Sequence, residues 1–216
     1  MFCYTDMNME SMLFTIVVLI LSIIVHEVAH GWAANALGDP TAKLAGRLTI
    51  NPLPHIDPIG SILIPAILVL TNAGMLFGWA KPVPYNPYNL KNQRWGEAIV
   101  GSAGVLTNIL LAVVFALVAR VAFDAGNETF ASLSATISFV NLFLGLFNLI
   151  PIPPLDGFTV LRGLLPYKWS LPLRQLEESM MRGGLFSLIL FLVVFSYFLA
   201  EPFFAFVQWI FALLLG

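Results

Sequence analysis

The sequence predicts an all-α polytopic membrane protein, and three observations predict it. Of 216 residues, 59% are hydrophobic and only 10% are charged, whereas a soluble domain carries about a quarter charged residues. Mean hydropathy is +0.88. Several apolar runs approach the roughly 20 residues that a helix needs to cross a bilayer. Residues 1–216 therefore read as a single integral-membrane domain, with a core over 11–165 and a further membrane segment over 184–215. The runs allow roughly 4–6 membrane-embedded helices, with a short β or irregular re-entrant element near 41–58.

Residues 11–37 predict a long helix that stops near Gly38-Asp39-Pro40. Ala34-Asn35-Ala36 resembles a signal-peptide cleavage site, but the leader carries Asp6 and Glu10 where basic residues belong, and cleavage would discard His26 and His30. Residues 41–58 are broken by Gly46, Pro52, Pro54 and Pro58, and 42–50 predicts a short β-hairpin or strand. Residues 59–79 are apolar but interrupted by Pro65 and by Thr71-Asn72-Ala73-Gly74; residues 80–94 form a polar loop rich in Pro and Asn. A second span covers 97–123, a short acidic loop follows, and a third span covers 131–150 before Pro151-Ile152-Pro153-Pro154. Residues 157–183 carry four basic residues (Arg162, Lys168, Arg174 and Arg182) and read as mostly interfacial. The apolar tail 184–215 is one kinked helix or two shorter ones around Glu201-Pro202. A net charge of −2 gives nucleic acid nothing to bind, and Cys3, the only cysteine, excludes an internal disulfide and a thiolate metal cluster.

His26-Glu27-Val28-Ala29-His30 ends the first apolar run. Ionisable residues inside lipid are costly and mark function. On a helix, positions i and i+4 share a face about 5–6 Å apart, so His26 and His30 can hold one metal ion together. Glu27 is offset around the helix, within reach of a water activated there without being a ligand. Zinc activates water near neutral pH, and a neighbouring carboxylate accepts the proton. The bland alternative is a pair of hydrogen-bonded helix histidines. Catalytic zinc takes three protein ligands, and the candidates for the third are His55, Asp57, Asp156 and Glu201. Asp156 is the best choice: the prolines at 151–154 break the preceding helix, and Gly157 permits a turn that aims the carboxylate inward. Its alternative role is an N-cap for a following short helix.

These residues resemble the site-2 protease family of intramembrane zinc metalloproteases. The match lies in His26–His30 and in Asn148 through Gly157, which is similar to the family's Asn-x-x-Pro…Leu-Asp-Gly motif. Gly101 through Asn108 resembles its Gly-Pro-x-x-Asn element, with Val105 in place of proline; Phe158 stands where glycine is frequent. Asn51 through Pro58 and Gly78 through Pro84 resemble a compact prokaryotic branch without PDZ or nucleotide-sensing domains. The resemblance covers residues 20 to 165. It implies one Zn²⁺ per chain held by His26, His30 and Asp156, with Glu27 as general base. It also implies hydrolysis of peptide bonds in or near the transmembrane segments of membrane-protein substrates, in a prokaryotic cell (inner) membrane. Nothing in the sequence specifies an oligomeric state.

Three asparagines and a histidine are further candidates. Asn141 and Asn148 are seven residues apart and share a helix face; with Asn108 they line the cavity and polarise the scissile carbonyl, or else they hydrogen-bond between helices. His55 is a cavity wall or transition-state donor, or else an interfacial loop histidine. An exposed strand edge in 42–50 would let an unwound substrate pair by β-addition.

Charge placement predicts topology. Nine of the ten basic residues, all but Arg120, fall in 43–94 or 162–182, which places both stretches in the cytoplasm by the positive-inside rule. Residues 59–79 would then enter and return, or lie buried as a broken helix. A membrane oxygenase needs more than three histidines. A metal transporter or channel using the His/Asp cluster as a transit site is the alternative function; it has no use for Glu27 and normally shows repeated halves.

Overall fold

A computed structural model of the chain describes residues 9–70, 80–92 and 95–216. Nine α-helices run in order through the described residues: α1 (Met9–Ala36), α2 (Thr41–Leu44), α3 (Ile64–Leu70), α4 (Gly96–Asp124), α5 (Glu128–Asn148), α6 (Asp156–Leu164), α7 (Tyr167–Arg182), α8 (Gly184–Val194) and α9 (Ala200–Leu215). Four helical runs are long and apolar enough to cross a membrane: α1, α4, α5 and Ile189–Leu215. Their outer faces carry exposed Leu13, Val17, Leu110, Leu117 and Val121, as side chains facing lipid should. The protein is an all-α polytopic membrane protein.

The helices stop where the sequence stops them. Gly38 adopts φ +105°, a conformation open to glycine, and Asp39 N–H closes back on the Ala34 carbonyl at 2.9 Å. Asn127 caps α5 by accepting from Phe130 N–H. The tail is one continuous run: a π-helical turn at Phe195–Leu199 joins α8 to α9 just before Pro202, where the missing N–H would otherwise break the ladder.

Contacts fix helix direction. Going from His26 to His30 along α1, the partners on α4 go from Asn108 back to Val100, so α1 and α4 are antiparallel. Asn108 meets Asn141, and the Ala112 carbonyl meets Ser138, so α5 runs antiparallel to α4 and parallel to α1. The C-terminal end of α1 and the N-terminal end of α4 therefore lie at the same end of the bundle. Between them in the chain, a π-helical turn (Pro58–Leu63) leads into α3; the rest of the expected re-entrant element, 71–79, lies outside the described residues.

One expectation is overturned. Residues 42–50 form no hairpin, and no strand occurs among the described residues. Instead α2 is followed by a turn and irregular backbone. The cause is side-chain capture of the backbone. Asp39 accepts from Thr41 N–H and Oγ1–H, starting a helical turn, and Arg47 donates to the Lys81 and Pro82 carbonyls. No strand edge is available there for β-addition.

Candidate metal centre

The centre is assembled from three helices. His26 and His30 sit 6% and 9% exposed on the inner face of α1. Their Nε2 atoms are 3.0 Å apart. Asp156 Oδ2 lies 2.9 Å from His26 Nε2 and 3.2 Å from His30 Nε2. Asp156 is the first residue of α6; Leu155 is the N-cap, and the Asp156 side chain makes no capping bond. The alternative role as a cap is thus not realised. The turn after α5, through the Pro151–Pro154 breakers, swings the carboxylate back onto the α1 histidines.

The protonation pattern shows what these atoms want. His30 Nδ1 is 2.7 Å from the Val100 carbonyl. A carbonyl oxygen can only accept, so Nδ1 carries a proton, and in the neutral ring Nε2 is then the atom free to ligate. His26 Nδ1 faces Asn108 Oδ1 at 2.5 Å, with the same result. Asp156 Oδ2 is buried and set against the two Nε2 atoms. Three potential ligand atoms thus converge, and when both rings are neutral with Nε2 unprotonated a cation is what offsets their mutual repulsion. Zinc bonds of about 2.0–2.1 Å at tetrahedral angles separate ligand atoms by about 3.3 Å, close to the spacings here. Space is kept for an ion by Gly104 of α4: a Cβ there would lie 2.5 Å from His30 Nε2 and 2.7 Å from His26 Nε2. The donor set and the cradle both fit zinc.

Glu27 lies half-buried beside this group. Its Oε2 accepts from Val83 N–H at 2.8 Å, which moors the loop after residue 80 over α1. The loop is tied again by Asp39, fully buried at the end of α1. Burial alone would raise the Asp39 pKa. Donors on Thr41, Asn89 and Asn86 outweigh it and hold the carboxyl below its usual value. Burial, with Glu97 nearby, pushes the Tyr85 phenol up to about 12.

The other candidates divide. Asn108 and Asn141 are 0% and 1% exposed and hydrogen-bond to each other between α4 and α5; Asn108 also meets His26. Asn148 donates to the Leu144 carbonyl of its own helix. His55 is buried, and its Nε2 meets the Thr49 carbonyl at 2.9 Å; it stabilises its own loop and does not join the ligand group. Sequence reasoning missed Gly104, the Val100 carbonyl and the Val83 N–H. Only the small residues Gly101 and Gly104, three apart in an apolar run, signalled a close approach. It also missed that Arg162, expected at the interface, is buried. Arg162 pairs with Glu97 at 2.9 Å and Glu177 at 3.1 Å, while Arg174 meets Glu97 at 2.8 Å.

Comparison with known proteins agrees with this geometry. The profile described as "Peptidase family M50" matches residues 119–192. The Bacillus subtilis protein named "Putative zinc metalloprotease YwhC" is 39% identical over 192 residues, covering 84% of this chain and 80% of that one. Two mycobacterial proteins named "Putative zinc metalloprotease Rip2" are also similar. The Mycolicibacterium smegmatis protein is 30% identical over 66% of this chain and 53% of its own. The Mycobacterium tuberculosis protein (strain Erdman) is 28% identical over 90% of this chain and 71% of its own. No solved structure matches. The chain belongs to peptidase family M50, the site-2 protease family of zinc metalloproteases.

Proposed function

We propose that this zinc metalloprotease works inside the membrane, cleaving peptide bonds in or near the transmembrane segments of membrane-protein substrates in regulated intramembrane proteolysis. One observation carries the reading: His26, His30 and Asp156 offer ligand atoms within 4.8 Å of one another, at the end of one candidate span and just past another.

His26, His30 and Asp156 would hold the ion. Zinc, when bound, supplies a Lewis acid and makes water acidic enough to be deprotonated near neutral pH. Glu27 takes that proton as general base and returns it to the leaving amine. The Val83 N–H occupies one Glu27 oxygen and fixes the carboxylate plane, so the other oxygen is the proton acceptor. A substrate helix hides its carbonyls in hydrogen bonds and must unwind locally. Irregular backbone is tolerated at membrane depth only against protein or a water-lined cavity, and the non-helical stretches 45–52 and 149–155 provide such backbone. Transit of a metal ion, the other reading, gives Glu27 and its dedicated N–H partner no task.

Glu27→Gln tests the function. Cleavage should fall by about 10²–10⁴ while the purified variant keeps zinc, and cells carrying it should accumulate uncleaved membrane stubs. Undiminished turnover would refute the reading. Residues 43–94 and 162–182 face the cytoplasm in this proposal, on the strength of their basic residues. Cysteines placed at Asn51 and Tyr88 should both label from that side; labelling from opposite sides would overturn the orientation.

A further inference from the structure

We propose that Asn141 is a positioning residue for the zinc site, acting through Asn108 to fix the tautomer and ring orientation of His26. This rests on the reading of His26 as a zinc ligand.

The direction of each hydrogen bond follows from one fixed end. Asn141 Nδ2 lies 2.9 Å from the Ile137 carbonyl, four residues back on α5. A main-chain carbonyl can only accept, so this end of the Asn141 amide is its nitrogen. Its Oδ1 then receives Asn108 Nδ2 at 2.8 Å. That turns Asn108 Oδ1 towards His26 Nδ1, 2.5 Å away. An amide oxygen accepts only, so Nδ1 carries a proton, and in the neutral ring Nε2, which faces Asp156, is left free to ligate.

Asn108 alone could not enforce this. Its amide is nearly symmetric in shape, and a half-turn would offer His26 an NH₂ group. His26 would then carry its proton on Nε2, where it blocks an ion. Asn141 excludes that state, because the turned Asn108 would set oxygen against oxygen at a position 0% exposed, with no water to intervene. His30 reaches the same tautomer in one step, through the Val100 carbonyl. Each histidine is thus set by a main-chain carbonyl, one directly and one through two amides. Helix α5 donates no ligand and still sets the quality of one.

The test is zinc affinity, measured by chelator competition on the full-length protein in detergent, with thermal unfolding followed in parallel. Asn141→Leu, close in volume and without hydrogen bonds, should weaken zinc by about 10–100-fold. Asn108→Leu, which offers His26 no hydrogen bond, breaks the relay at its first link. In that background Asn141→Leu should change zinc affinity by less than about threefold. An Asn141→Leu variant within about threefold of wild type, or an equal loss in both backgrounds, would overturn the proposal. Should Asn141→Leu fail to fold, Asn141→Ala decides: it also removes the acceptor for Asn108 and should weaken zinc by about tenfold or more, and affinity within about threefold of wild type overturns the relay. A His26→Ala variant that holds zinc as wild type does would instead refute the ligand assignment itself.

Discussion

The helices around the metal centre and the C-terminal helical run are both apolar enough to span a bilayer, yet they are held in different ways. The most apolar windows of α4 and α5 are 33% and 39% buried; that of Ile189–Leu215 is 6% buried. The first group is fixed by directional contacts: His26 to Asn108, Asn108 to Asn141, Ser138 to the Ala112 carbonyl, and Gly104 against two imidazoles. The tail rests on α4 and α5 through Val207 and a cluster of rings, with Phe211 5.0 Å from Phe139 and Phe203 5.5 Å from Phe143. In lipid, burying apolar surface gains little, because lipid tails are as apolar as the partner helix. Specificity must come from hydrogen bonds and close approach. The tail has few of these, so damage should be abrupt at the centre and graded in the tail.

The largest effect should follow Asp156→Ala, which removes one of the three converging atoms; zinc content should fall to background and cleavage with it, and retained activity would end the contrast at once. Next comes Gly104→Ala. Alanine favours a helix over glycine by up to about 1 kcal/mol, but its methyl group would displace both buried imidazoles, so the thermal midpoint should fall and zinc affinity should drop by about 100-fold. A variant that binds zinc normally would show that the close approach is not what shapes the centre. The smallest effect should be that of Phe211→Leu, which removes one edge-to-face pair worth about 1 kcal/mol; unfolding in detergent should shift modestly and cleavage stay within about twofold of wild type.

The same contrast explains what was legible in the sequence. The spans, their stops near Gly38 and before Pro151, and the choice of Asp156 to join the histidines follow from local spacing and helix breakers. Residues 42–50 misled because a strand-like alternation was outbid by Asp39 and Arg47, whose partners lie at Asn86, Asn89, Lys81 and Pro82. Asn141 reads only as a polar residue in a span; its task depends on Asn108, 33 positions away. Gly104 reads only as part of a motif; its contact with both imidazoles appears once α1 is laid beside it. Long-range juxtaposition, not local pattern, decides such roles.

The charge cluster of Glu97, Arg162, Glu177 and Arg174 bears on biogenesis. Glu97 leaves the ribosome long before its counter-ions do. Until α6 and α7 have been synthesised, the start of α4 carries a carboxylate that has no partner and resists a low-dielectric setting. Asp156 opens the same helix that carries Arg162, so docking α6 against α4 brings the third ligand and a counter-ion of Glu97 into place together.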